Sequence, residues 1–450
     1  MTVAADAMRA RVVSSWGNVI RAPHAIYTLR TRQDRFPQLT GAATVLPFGN
    51  GRSYGDSCLN VGGALLQTRG LDHFIHFDRA TGRLACEAGV LLSDILPIAL
   101  AAGWFLPVVP GTAFVTVGGA IANDVHGKNH HRAGTFGCHV CRFELLRSNG
   151  ERLICAPDAH VRWFEATIGG LGLTGVVTWA ELQLRRIAGP WMDLETIRFG
   201  SVAEFFGLCA ASDRDFEYTV AWIDCLARGK RLGRGLLQRA NHAGPDGAPR
   251  QVVSELVHAR RKMVPFVPPV SLINSLSLRA FNTLYYHWQR APQRRSVQDF
   301  RRFFFPLDAI LHWNRLYGPR GFYQYQCVVP NEVARDATRE LLATIASSGL
   351  GSFLAVLKRF GSGRSPGMLS FPMEGVTLAL DFPNSGAGID RLFTRLDAIV
   401  AGAHGRVYPA KDGRMPASLF RSGFPRWREF EQYIDPAMSS SFWRRVMQHA

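Results

Sequence analysis

The sequence offers no apolar run suited to crossing a bilayer. Its longest candidate, LLSDILPIALAAGWFLPVVP (91–110), is broken by Asp94, Pro97, Gly103 and Pro107. It reads as a short helix, capped by Ser93 and closed by Gly103, followed by a buried strand. The N-terminal segment MTVAADAMRARVVSSWGNVIRAP lacks the apolar h-region of a secretory signal. That predicts a cytoplasmic chain, at most peripheral on the inner face of the cytoplasmic membrane. Cysteine is sparse, with eight residues, and in that compartment they read as reduced thiols. Cys138-His139-Val140-Cys141 is a CxxC with no second CxxC to complete a zinc site, so two thiols along a strand are expected and no metal. Acidic residues are short as well: 35 Asp and Glu face 52 Lys and Arg, for a net charge of +17. This excess, much of it arginine, implies an anionic partner. It clusters in 228–239, 259–262 and 290–302 and around Arg426 and Arg444, placed in one last helix. No zinc-finger, RNP or basic-zipper pattern accompanies it, so nucleic acid is not the expected partner. No internal repeat is present.

What is abundant is glycine, concentrated in three segments: PFGNGRSYGD (47–56), PGTAFVTVGGAIANDVHGKNHH (110–131) and GGLGLTG (169–175). Each borders an apolar, β-branched run that reads as a strand. Three such loops brought together would present a row of backbone N–H donors, the means by which proteins hold a pyrophosphate. A dinucleotide cofactor follows. A Rossmann loop does not, because GNGRSYGD runs into the strand-like CLNVGGALLQ rather than into a helix.

At 450 residues with 47% hydrophobic content, two domains are expected. Residues 1–188 are read as the first domain, which from about 19 alternates short strands with glycine turns and two helical stretches, including hairpins at 75–90 and 143–154, an α+β pattern. From 189 to 405 longer strands (216–226, 321–330, 375–383) alternate with helices (332–349, 391–405). This predicts an α/β layer with a large antiparallel sheet, one face of it free to cover something. Residues 406–450 return to the first domain. Within 263–305, Leu272, Leu276, Phe281, Leu284, Tyr285 and Trp288 fall at helical spacing. An ordinary core helix is the first reading, and a basic, aromatic helix lying on an anionic membrane surface the alternative.

The order GNGRSYGD, PGTxxVTVGGAIAxDxHGKNHH, GGxGLTG, followed by AWID, WNRLYGP, FYQYQ, LKRFG, LALDFP and YPAKDGR, resembles the vanillyl-alcohol-oxidase group of PCMH-type FAD flavoproteins. Within that group it is similar to the oxidase subunits of decaprenylphosphoryl-β-D-ribose 2′-epimerases. The resemblance implies a split FAD domain embracing a substrate domain. Gly49, Asn50, Gly51, Arg52, Ser53 and Tyr54 would wrap the pyrophosphate. Gly111, Thr112, Gly118, Gly119 and Ala120 would let the backbone approach the ring and ribityl chain. Gly172, Leu173 and Thr174 would close the other side. Arg52–Tyr54 offers no histidine for a covalent tether, so noncovalent FAD is expected. Lys411 would meet the substrate oxygens and the reduced flavin, and Tyr54 would complete the catalytic group. His126 is a candidate proton acceptor, Lys128 a further flavin-side group, and Tyr408 a flavin contact. Tyr317, Gln324, Gln326 and Lys358 would line the sugar side, with Trp222 as an apolar wall.

Two positions depart from the family. Ala379 stands where mycobacterial members carry cysteine, so that thiol is dispensable if the chemistry is shared. Thr377 replaces a substrate-side asparagine. The implied activity is FAD-dependent oxidation of the 2′-hydroxyl of a polyprenyl-phosphoryl ribose. The implied partners are a nicotinamide-dependent keto-reductase, a quinone or other acceptor, and an anionic membrane. A soluble aldonolactone or sugar-alcohol oxidase, and a non-catalytic basic binding protein of the same fold, stay open on the residues alone.

Overall fold

The structure is a computed structural model that describes residues 10–41, 43–244 and 262–448. The arginines of 259–261 and the first nine residues lie outside them. The architecture is α+β. A four-stranded sheet runs Ala10–Ser14, Arg21–Thr28, Ala64–Gln67, Val45–Phe48, its first pair antiparallel and the rest parallel. A five-stranded antiparallel sheet follows in the order Phe74–Asp78, Arg83–Glu87, Val176–Gln183, Val140–Leu146, Arg152–Cys155. The third sheet has eight strands: Gln293–Asp299, Trp191–Phe199, Gly235–His242, Tyr218–Ile223, Ala355–Phe360, Gly375–Pro383, Phe322–Pro330 and Arg406–Val407.

Helices Ala334–Ser348 and Ala387–Gly402 lie against one face of the large sheet. Leu341, Ile345, Leu396 and Val400 meet Leu357, Leu378 and Leu380 there in one buried cluster. Side chains alternate across a strand, so the neighbours of these leucines (Lys358, Thr377, Ala379, Asp381) face the other way. That second face turns toward the glycine loops. After Arg406–Val407 the chain crosses back to the first sheet, where Val45 N–H donates to the Ala437 carbonyl at 2.8 Å and Val45 bridges Met438.

Four local expectations are corrected. The helix Leu92–Ala101 is capped by Asp94, whose carboxylate accepts from the Leu91 N–H at 3.2 Å, rather than by Ser93. Cys138 sits exposed in the short turn Phe136–His139, and only Cys141 enters the strand. Arg426 and Arg444 belong to different helices, the first just ahead of Trp427–Glu431 and the second within Ser441–Met447. The helix at Ser275–Trp288 is not a core helix: Leu276, Leu284 and Trp288 are 79%, 70% and 82% exposed, while Leu278 and Asn282 are buried. Periodicity marks an apolar face without saying whether a partner covers it.

Candidate active site

Backbone contacts between distant segments build the site. Gly55 abuts the Asp412 carbonyl so closely that a Cβ there would lie 1.7 Å from it; only glycine lets PFGNGRSYGD reach YPAKDGR. Tyr54 N–H donates to the Ala410 carbonyl at 3.0 Å, Tyr408 N–H to Gln326 at 2.9 Å, and Lys411 N–H to Tyr408 at 3.0 Å. The turn 408–411 is thereby tied to both the first glycine loop and the large sheet. The Tyr408 hydroxyl donates to the Asn123 carbonyl at 2.8 Å, which adds the second glycine segment.

Two clusters of side chains result. In the first, Lys411 Nζ lies 3.8 Å from the centre of the buried Tyr54 ring. Gln324 Nε2 donates to Asp381 Oδ1 at 2.5 Å, and the other oxygen of that buried carboxylate has no hydrogen-bond partner. Burial pushes the Asp381 carboxyl up and the Lys411 ammonium down, while attraction between the two works against both shifts. In the second, the buried His126 has one ring nitrogen 3.0 Å from Gln326 Nε2 and the other 3.3 Å from Lys358 Nζ. Gln326 also donates to Thr377 Oγ1 at 3.3 Å. Burial first, then the charges of Lys358, His130 and Lys411, hold the His126 pKa well below the ordinary imidazole value. Burial and the Lys411 charge bring Lys358 down to about 7.

Gln324 and Gln326 thus share a face, as their alternation requires, and Tyr323 and Tyr325 contact Phe393 on the other. Tyr317 stacks on Phe322 at 4.1 Å, and Phe322 meets Tyr54 edge-on at 5.4 Å. Trp222 donates to the Phe353 carbonyl at 2.9 Å and packs on Tyr285 at 4.8 Å. Lys128 donates to the Phe303 carbonyl and lies 4.2 Å from that ring. Lys128 also feels the charge of Lys358 in the second cluster. Sequence reasoning missed Asp381. Stepping by two from Thr377 along the strand reaches it through Ala379, a usable signal, but its place beside Gln324 comes from strand pairing. It also missed His130, buried against Phe360 at 4.4 Å with both ring nitrogens unpartnered.

The chain contains five lysines, Lys128, Lys230, Lys262, Lys358 and Lys411. Lys358 and Lys411 both belong to this site, and the Lys411 charge lowers Lys358. An anion would relieve them.

A family of FAD binding domains matches residues 41–156. A decaprenylphosphoryl-β-D-ribose oxidase of Mycolicibacterium smegmatis is 36% identical over 406 residues, 88% of this chain and 87% of that protein. The chain belongs to the family of that oxidase. As a member it is an FAD-dependent oxidoreductase. A Streptomyces coelicolor protein named for its place in the mprA 5′ region is 36% identical over 358 residues, 77% of this chain and 96% of that protein. Cytokinin dehydrogenase 10 of Oryza sativa is 32% identical over 148 residues, 31% of this chain and 27% of its own. The likeness to that dehydrogenase covers under a third of either chain.

The residues present fit FAD. Among the described residues none accepts a hydrogen bond from the main-chain N–H of Asn50, Gly51, Arg52 or Ser53. Four successive free donors in a loop with Gly51 at φ +60 make an anion-binding nest. Arg52 stacks 4.2 Å over Trp16, and its buried Nε has no partner. Asn50 Nδ2 donates to Phe114 O at 2.7 Å, tying the first loop to the second. Gly49 packs on Thr116, whose hydroxyl accepts from Gly119 N–H at 3.1 Å. Gly118 N–H donates to Ala88, and Ala120 is buried. Gly111 has open space where a Cβ would be, and Thr112 Oγ1 accepts from Phe114 N–H. In the third loop Gly172 has φ +78, Leu173 accepts from Asp435 N–H, and Thr174 bonds Thr167 at 2.9 Å.

Proposed function

We propose that this chain oxidises the 2′-hydroxyl of a polyprenyl-phosphoryl-β-D-ribose to the 2′-keto sugar, the first half of an epimerisation to the arabinose form. The observation that carries the reading is the buried Lys411–Asp381–Gln324–Tyr54 cluster beside His126 and Lys358, in a chain matched along 88% of its length by an oxidase of that name. FAD, when bound, supplies the hydride acceptor.

Lys411 is the group that takes the hydroxyl proton. Burial favours its neutral amine, and the ammonium formed on accepting the proton is stabilised by Asp381 and the Tyr54 ring. His126 is held at both ring nitrogens by Gln326 and Lys358, so its role is to orient them toward the sugar. Lys358 presents positive charge to developing negative charge, which counts for more in a buried site than in water. Ala379 at the former cysteine position leaves the proton path without a thiol. Arg52–Tyr54 supplies no histidine, and the flavin is held noncovalently. A nicotinamide-dependent keto-reductase then consumes the keto sugar, and a quinone or other acceptor takes the electrons. The chain works in the cytoplasm at the inner face of the membrane.

The test is anaerobic mixing with a short-chain prenyl-phosphoryl ribose while flavin absorbance is followed. Rapid bleaching, slowed strongly in Lys411→Ala, is expected, and acid denaturation should release free FAD. Bleaching by a sugar lactone alone would instead make the chain a soluble lactone oxidase.

A further inference from the structure

The helix Ser275–Trp288 leaves most of its large apolar side chains exposed and buries only Leu278 and Asn282 fully. Its inward side is fastened by polar groups. The buried Asn282 donates to Asp224 at 3.0 Å, and Asp224 is in turn paired with the buried Arg234 at 2.7 Å. Arg234 also lies 4.6 Å from the Tyr286 ring, and Gln289 just beyond the helix donates to Thr196 O at 2.8 Å. Asn274 caps the N-terminus through two N–H groups. The outward side carries Leu276, Ala280, Phe281, Leu284, Tyr285 and Trp288, spaced i, i+4 and i+3. Surface helices of globular proteins show the opposite arrangement. The preceding proline loop adds Phe266 at 68%, Val270 at 67% and Leu272 at 51% exposure. The loop is anchored below, where Arg315 donates to the carbonyls of Val264 and Pro265.

Charge along this stretch of chain has one sign, with Arg295 paired to Asp193 from a neighbouring strand. From 262 to 298 the chain contains no Asp or Glu, but it contains Lys262, Arg279, Arg290, Arg294 and Arg295. An apolar face rimmed by cations matches an anionic bilayer, whose headgroups meet the cations while the acyl boundary receives the apolar side chains. The face also reaches the active site through aromatic contacts. Tyr285 packs on Trp222, and Phe281 on Phe353 at 5.9 Å. Phe353 lies 6.3 Å from Tyr317, which stacks on Phe322 beside Tyr54.

We propose that this helix and the proline loop insert into the headgroup–acyl boundary of an anionic lipid bilayer. Held there, the enzyme takes the sugar head of a membrane-borne substrate while its prenyl chain stays in the lipid. The presentation of substrate rests on the proposed function, whereas the membrane binding does not. Among the described residues no helix is long and apolar enough to span a bilayer, so the attachment is interfacial.

The test is co-sedimentation of the FAD-loaded protein with vesicles of phosphatidylcholine alone or mixed with phosphatidylglycerol. Binding to the anionic vesicles, weakened by salt, is expected. Leu284→Asp with Trp288→Asp should weaken it by at least ~100-fold, from the loss of two inserted apolar side chains. Turnover of a soluble short-chain substrate should be unchanged. Arg290→Gln with Arg294→Gln should remove the preference for anionic over neutral vesicles. If the double aspartate variant fails to fold, Leu276→Asp, at the opposite and equally open end of the helix, serves instead. Equal binding to neutral vesicles, or none to either, overturns the proposal. So does a concentration-dependent dimer that the same aspartates dissolve without any vesicle binding. Vesicle binding without flavin bleaching by the prenyl-phosphoryl sugar would overturn the proposed function and leave this inference standing.

Discussion

Arginine and lysine occupy opposite environments in this molecule. Several arginines that enter the interior arrive with carboxylates: Arg234 with Asp224 at 2.7 Å, Arg239 with Glu195 at 2.6 Å, Arg414 with Asp397 at 2.9 Å, and Arg445 with both Asp56 and Asp412. In the basic run 228–239, Arg234 and Arg239 are used this way, and Arg228 donates to the Ala346 carbonyl. Of the interior lysines, Lys411 has Asp381 beside it, and the other two are not so matched. Lys128 and Lys358 are both brought down to about 7 by burial, Lys128 also by the Lys358 charge and Lys358 by that of Lys411. Arginine keeps its proton under any such pressure, whereas lysine releases it. Paired charge here fixes architecture, whereas Lys128 and Lys358 are buried without a carboxylate paired to them among the described residues.

The sharpest way to break this comparison is Lys411→Ala. Flavin reduction in stopped flow should fall by ~10³-fold or more, the range of a lost proton acceptor combined with lost charge stabilisation, with FAD content retained. Loss of FAD with unchanged reduction in the loaded fraction would make Lys411 a cofactor anchor only. On the arginine side, Arg234→Met leaves Asp224 buried without its counter-charge and should cost ~3–5 kcal/mol. Thermal unfolding reads this directly, and the reduction rate of the folded protein should be untouched.

Asp381→Asn sharpens the lysine side. The carboxylate raises the Lys411 pKa, so its loss lowers that value further. If the neutral amine is the proton acceptor, the acidic limb of the pH–reduction profile should move to lower pH. A limb that stays in place excludes Asp381 as the positioning partner of Lys411.

Lysine burial also has a stability signature in the protein without FAD. Lys358 and Lys128 bind protons more weakly folded than unfolded, so between about 7 and their ordinary value of 10.5 the unfolded chain holds more protons. Stability therefore rises with pH across that window, and the penalty is full below it. From pH ~7 to ~8.5, before the buried thiols reverse the trend, the gain should be on the order of 1 kcal/mol per lysine. Lys358→Met should flatten the slope seen in apoprotein melting. The smallest effect belongs to the surface: Arg214→Gln breaks an exposed pair with Asp215 at 3.1 Å and should leave the melting temperature within error.

The glycine segments, the hairpins at 75–90 and 143–154 and the shared face of Gln324 and Gln326 were legible because each is dictated locally. Gly51 at φ +60, beside the ring of nearby Phe48, suits only glycine, and strand alternation has a period of two whatever the neighbours are. Lys411 was legible through the YPAKDGR motif. Asp381 as the partner of Gln324 was not, since 57 residues separate them and the register of two strands brings them together. The surface helix was half legible: spacing identified Leu276, Phe281, Leu284, Tyr285 and Trp288 as one face, but Asn282 turned inward because Asp224 and Arg234 wait there.

By itself, then, the sequence determined the glycine loops and the sheet-forming segments, both properties of short windows of chain. Which charges stay unpaired, which carboxylate stands by Lys411 and which apolar face is left uncovered were decided by tertiary structure. Pairing, burial and exposure depend on what other segments bring to the same point in space, and no local window contains that information.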